Sequence, residues 1–175
     1  MSAPSPSTGA PVAYGIALAV HVATALVGFA TLASSGLYGS WGRRLRTWEE
    51  LRDVRRYFEH PNRSGQVLWL VPLTGGVALW LRHGVSALGQ AWVIASMVCW
   101  ALATVLAVSV IWPAERRIRP IVAGLDRMPD VPDPGHVPLL PAALGPMFRS
   151  ITRAAAFCDL AFTVALALMV LRPGR

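Results

Sequence analysis

Lysine is absent from this 175-residue chain, and all sixteen basic side chains are arginines. Sixteen separate sites would rarely each demand a guanidinium, so the absence reads as the coding bias of a GC-rich bacterial genome. Acids are scarce as well: charged residues make up 14% of the chain against 54% apolar ones. Ordinary soluble domains carry about 25% charge. With a positive mean hydropathy, the balance argues for an integral membrane protein. The two cysteines, Cys99 and Cys158, both fall inside apolar stretches. There they act as small hydrophobes, which excludes a secreted disulfide framework. Catalytic signatures are missing too. There is no Gly-rich phosphate loop, no nucleophile elbow, no zinc-spaced Cys/His set and no pair of acids inside an apolar run. The chain is therefore expected not to be an enzyme.

What is there is apolar and long. Four segments approach the roughly 17–25 helical residues needed to cross a hydrocarbon core of about 30 Å: 12–34, 64–82, 87–113 and 152–171. The second is the shortest and contains Pro72 and the Gly75-Gly76 pair, which neighbouring helices can shield. Residues 1–11 read as a flexible tail without the positive n-region of a signal peptide, so the first span is expected to stay in the mature protein. The fold class expected is all-α: a polytopic four-transmembrane-helix bundle over 12–175.

Arginine placement sets the orientation. The 43–63 loop holds Arg43, Arg44, Arg46, Arg52, Arg55, Arg56 and Arg63, and the 114–151 loop holds Arg116, Arg117, Arg119, Arg127, Arg149 and Arg153. No arginine precedes Arg43, and Arg82, Arg172 and Arg175 complete the set. The positive-inside rule then puts both loops in the cytoplasm and both termini outside a bacterial inner membrane. Arginines beside apolar spans point to anionic inner-leaflet lipids rather than to nucleic acid.

Within the first loop, Thr47-Trp48-Glu49-Glu50 has the form of a capping box. Trp48, Leu51, Val54 and Phe58 follow at helical spacing. A short amphipathic cytoplasmic helix is expected, lying on the inner membrane surface or capping the bundle. The second loop opens with the interfacial anchor Trp112–Arg119 and continues through the proline-rich Asp130–Gly135, which is expected to be extended.

Two ionisable side chains sit inside spans, where such groups are costly and face the bundle interior or water. His21 shares a helical stripe with Thr24, Gly28 and Thr31. It reads first as a hydrogen-bonding histidine in a helix–helix contact; haem ligand, copper ligand and proton relay are the alternatives. His60, His83 and His136 lie at other depths, which counts against a bis-histidine haem. Met97 matches His21 at about 13 Å from the outer end, with Cys99 one step deeper, so His21, Met97 and Cys99 form a soft-metal or haem set. Asp159 on the last span reads as a hydrogen-bonded or paired acid, or as a proton or solute site, with Thr31 and Thr163 as polar neighbours.

Leu18-Ala19-Val20-His21 with Gly28-Phe29, Leu73-Thr74-Gly75-Gly76, and Trp112-Pro113-Ala114-Glu115-Arg116-Arg117 together resemble the uncharacterised actinobacterial-type four-helix integral membrane proteins. More distantly, the histidine–glycine pattern of the first span is similar to CopD-type copper-resistance membrane domains. The resemblance implies a membrane-embedded bundle without an assigned activity. CopD-type proteins have more spans, so no copper site is carried over. Three functions follow: an accessory or interaction bundle that packs against itself as a homo-oligomer or against other membrane proteins; a haem- or copper-handling protein built on His21; and a carrier built on Asp159.

Overall fold

A computed structural model describes residues 9–59, 63–124 and 141–171. Every regular element among them is helical: α1 (Gly9–Gly42), α2 (Trp48–Glu59), α3 (Leu70–His83), α4 (Ala91–Leu106), α5 (Trp112–Ala123) and α6 (Leu144–Leu171). A 3₁₀ segment, Arg63–Trp69, leads into α3, and a second, Val85–Gly89, links α3 to α4. Between α4 and α5 lies a single π-helical turn, Ala107–Ile111, so Ala91–Ala123 forms one rod. Among the described residues, three helices are long and apolar enough to cross a membrane: Pro11–Gly42, Ala91–Ala123 and Leu144–Leu171.

The helices run past the boundaries that charge alone suggests. The first helix continues to Gly42, past the expected span end at 34; the rod that holds the third expected span runs to Ala123, past 113; and the last helix begins at Leu144, ahead of 152. The 114–151 loop is thus helical at both ends. The reason is that an apolar stripe outlasts the apolar run. Ile111, Ile118 and Val122 are fully buried while Arg116 and Arg117 point outward. A helix of this kind leaves the bilayer and keeps packing. The Asp130–Gly135 segment, expected to be extended, falls outside the described residues, as do His60 and His136.

Prolines explain the irregular backbone. Pro72 has no N–H to give to Leu68 O four residues earlier, and the Trp100 indole donates to that carbonyl instead, at 2.9 Å. The π turn comes just before Pro113, where a missing donor already interrupts the ladder. Gly84, at φ +71° and ψ −173°, takes a positive-φ conformation open to glycine that turns the chain out of α3, and its N–H donates to Trp80 O at 3.0 Å.

α6 packs against both α1 and α4, and α1 packs against α3. Consecutive helices α3 and α4 barely touch, so a slot remains between them. The best-sealed core sits at the opposite end, around α2. Leu51, Val54 and Phe58 of α2 are buried with Ile118 and Val122 of α5 and with Leu144, Phe148 and Ile151 of α6. Protein therefore covers the apolar face of α2. Its start is the expected capping box: Glu50 N donates to Thr47 Oγ1 at 3.3 Å, and Thr47 N donates to Glu50 Oε2 at 3.2 Å. Its last turn is fastened by Arg119 Nε donating to Phe58 O. Away from this end the surface is apolar, with Leu26, Leu73, Val105 and Leu166 all more than half exposed.

Candidate functional site

His21 lies where α1 meets α3. The contact depends on Gly75, since a Cβ there would come within 2.8 Å of His21 Cε1. The imidazole thus occupies the volume a side chain would need. His21 Nδ1 donates to Val71 O at 3.0 Å, with Thr74 Oγ1 at 3.3 Å. Thr24 Oγ1 donates to His21 O and lies 3.2 Å from Thr74 Oγ1. A carbonyl can only accept, so Nδ1 must carry a hydrogen. In the neutral ring Nε2 is then an acceptor, and it has no hydrogen-bond partner among the described residues.

His21 lines a cavity of about 440 Å³ between α1, α3 and α4. That is within the range of small-molecule sites, about 300–1,000 Å³. Its walls are Leu18, Val71, Leu79, Val93, Met97 and the rings of Trp92 and Trp100, with Met169 of α6 closing one side. Both indole N–H groups are engaged elsewhere, Trp92 Nε1 on Gln90 Oε1 and Trp100 Nε1 on Leu68 O. They therefore present only ring surface. At the rim the Arg82 guanidinium sits 4.9 Å from the centre of the Tyr14 ring, a cation–π contact between α3 and α1.

The structure thus places Met97 on the same cavity as His21, whereas Cys99 is not part of its lining. Among the described residues no group of three or more histidine, cysteine or acidic side chains is placed to hold a metal ion. A haem or soft metal here would draw on His21, Met97 and His83, which also lines the cavity.

Asp159 lies on α6, half-buried, and its Oδ1 is fully covered with no hydrogen-bond partner among the described residues. Thr31 donates to Val27 O and Thr163 to the backbone carbonyl of Asp159. Neither hydroxyl bonds to the carboxylate. Cys158, next along the helix, bonds instead to Ala103 O of α4 through its Sγ at 3.4 Å.

A second polar centre went unmarked in the sequence. Glu115 on α5 is only 6% exposed. Its Oε1 accepts hydrogen bonds from Ser35 Oγ at 2.8 Å and Tyr57 OH at 3.1 Å. The Tyr57 ring stacks on Tyr38 with centroids 4.1 Å apart. Read within Trp112–Arg119, Glu115 looks like part of an interfacial anchor. The signal that finds it is spacing: Ile111, Glu115, Ile118 and Val122 recur at four, three and four, which is one helical face. The cluster ties α1, α2 and α5 together.

Comparison with protein-family models, curated proteins and solved structures gives no match to this chain.

Proposed function

We propose that the chain is a four-span accessory protein of a bacterial inner membrane, without enzymatic activity, that binds a small apolar molecule in the cavity at His21. The cavity carries this reading. It joins an apolar wall, two indole faces and the acceptor nitrogen of His21, with Tyr14, Arg82 and His83 at one end. Such a site binds and orients a ligand, but it holds no nucleophile–base pair to transform one.

The fourth span is the Arg63–His83 run, in which seven 3₁₀ residues continue into fourteen α-helical ones. At about 2.0 and 1.5 Å per residue it reaches roughly 35 Å, enough for a hydrocarbon core. The exposed arginines cluster around α2, the start of α5 and the first turns of α6, which supports a cytoplasmic α2 end, external termini and contact with anionic inner-leaflet lipids. With its apolar face covered, α2 serves as a cap on the inner end of the bundle.

Extraction of the native protein into lipid nanodiscs, followed by mass spectrometry of the organic extract, tests the reading. Gly76 lines the cavity, and a Cβ there meets nothing within 4 Å. Gly76→Leu should therefore fill the cavity without disturbing the helices and lower the co-extracted ligand at least tenfold. Equal ligand in both proteins would sink the reading. Orientation is checked separately in a variant lacking Cys99 and Cys158: Ser86→Cys should label from outside and Glu49→Cys from inside.

A second reading has its own observation, the shared cavity of His21 and Met97. A haem or copper ion bound there would appear as a Soret band or as stoichiometric copper that His21→Phe removes.

A further inference from the structure

The cavity's chemistry narrows what it holds, and this step rests on the cavity being a ligand site. Its polar contents are few. Both tryptophan N–H groups are spent on Gln90 and Leu68. Ser96 Oγ donates to Trp92 O at 2.8 Å. The His21 Nδ1 hydrogen is held by Val71 O. The Arg82 charge sits at the rim over Tyr14. Tyr14 and His83 line the cavity with Arg82 at that end. Away from it, what remains is His21 Nε2, which has no hydrogen-bond partner among the described residues and is not among the fully buried polar atoms.

We infer that the cavity takes a neutral bilayer amphiphile whose ring or head carries an O–H or N–H donor: the donor bonds to His21 Nε2, the head lies against Trp92 and Trp100, and the tail leaves between α3 and α4. Neutrality follows from the wall, which is overwhelmingly apolar and has no buried counter-charge to compensate an ion. The donor follows from the acceptor at Nε2 on the apolar wall, since a ligand without a donor would bury that nitrogen unpaired. The source of the ligand follows from the fold. The slot between α3 and α4 runs past Leu73 and Met97, 65% and 48% exposed, on the apolar surface that faces lipid. A molecule already dissolved in the bilayer reaches the slot without crossing water. The indole faces suit a flat head, because stacked aromatic pairs hold best offset or edge-to-face.

The test uses the full-length protein in phosphatidylcholine nanodiscs with two probes, 4-octylphenol and 4-octylanisole, followed by tryptophan fluorescence. The probes share ring and tail, and only the phenol has a donor. The phenol should bind about tenfold more tightly than the ether, the size of one net hydrogen bond. His21→Phe should bring the phenol down to the level of the ether. Gly76→Leu should weaken both at least tenfold while leaving the unfolding temperature unchanged. Equal binding of the two probes to the wild type would overturn the donor assignment. A phenol preference that survives in His21→Phe would overturn it as well. In either case loss of both probes in Gly76→Leu would keep the cavity reading alive. If Gly76→Leu alters neither probe, the cavity reading and the ligand class fall together.

Discussion

Glu115 Oε1 and Ser35 Oγ are 2.8 Å apart although eighty positions separate them in the chain. With Tyr57 OH bonded to the same oxygen, this contact fastens α2 to the spanning helices. Replacing Glu115 by alanine removes the acceptor and leaves the hydroxyls without it in a closed core. The expected cost is about 2 kcal/mol. Glu115→Gln keeps an acceptor oxygen and should cost less than about 1 kcal/mol. Thermal unfolding of both variants in the same detergent checks the order. If glutamine is as damaging as alanine, the charge and not the acceptor holds the cluster.

The start of α2 should respond to acid. The Arg46 and Thr47 N–H groups donate to Glu50 Oε2, and these bonds hold its carboxyl below the usual carboxylate range. A carboxylate whose folded pKa is depressed stabilises the fold above its unfolded pKa, about 4.3. That contribution is lost as pH falls through the lower folded value. Amide-exchange protection at Arg46, Thr47 and Glu50 should therefore hold from about pH 6 to pH 5 and fade below about pH 4. Glu50→Gln should flatten the profile. Protection that is unchanged down to pH 2 would show that the capping box contributes nothing in solution.

Much of this architecture can be read from the residues. The all-helical class follows from the long apolar runs, and the capping box from Thr47 and Glu50. The helix ends do not follow so easily, because hydropathy falls at Arg43 and Arg116 while the buried stripe continues beside them. His21 is conspicuous as a lone histidine in an apolar run. Its partner Gly75 is not, because a glycine's importance there is the space it leaves for a ring from another helix. Glu115 was hidden by its arginine neighbours. The slot between α3 and α4 has no sequence signal at all, since sequence neighbours usually pack together and these two do not.

Two glycines make a matched test of helix contact. A Cβ on Gly36 would lie 2.8 Å from Ala155 Cβ, whereas one on Gly76 meets nothing. Gly36→Ala forces α1 and α6 apart and should cost about 1–3 kcal/mol. Gly76→Ala adds a methyl to open space and should be neutral or slightly stabilising. Unfolding temperatures compared side by side decide the matter. Equal effects would mean that the α1–α6 contact is loose enough to absorb a methyl group.

Asp159 separates stability from function. Its Oδ1 is covered and unpaired among the described residues, and burying a polar atom without a partner costs about 1–3 kcal/mol. Asp159→Leu replaces that oxygen with apolar atoms on a helix that already meets α1 through the Phe29 and Phe162 rings, edge to face at 6.0 Å. The variant should therefore be more stable than the wild type by about 1 kcal/mol. A destabilised variant would mean that the carboxylate has a partner in the membrane, either a bound proton-sharing group or an ion. That result would favour a carrier built on Asp159, and proton or solute flux in vesicles, measured for Asp159→Asn, would then decide its role. Raised stability together with unchanged flux would leave Asp159 without a transport role and the cavity at His21 as the functional centre of the bundle.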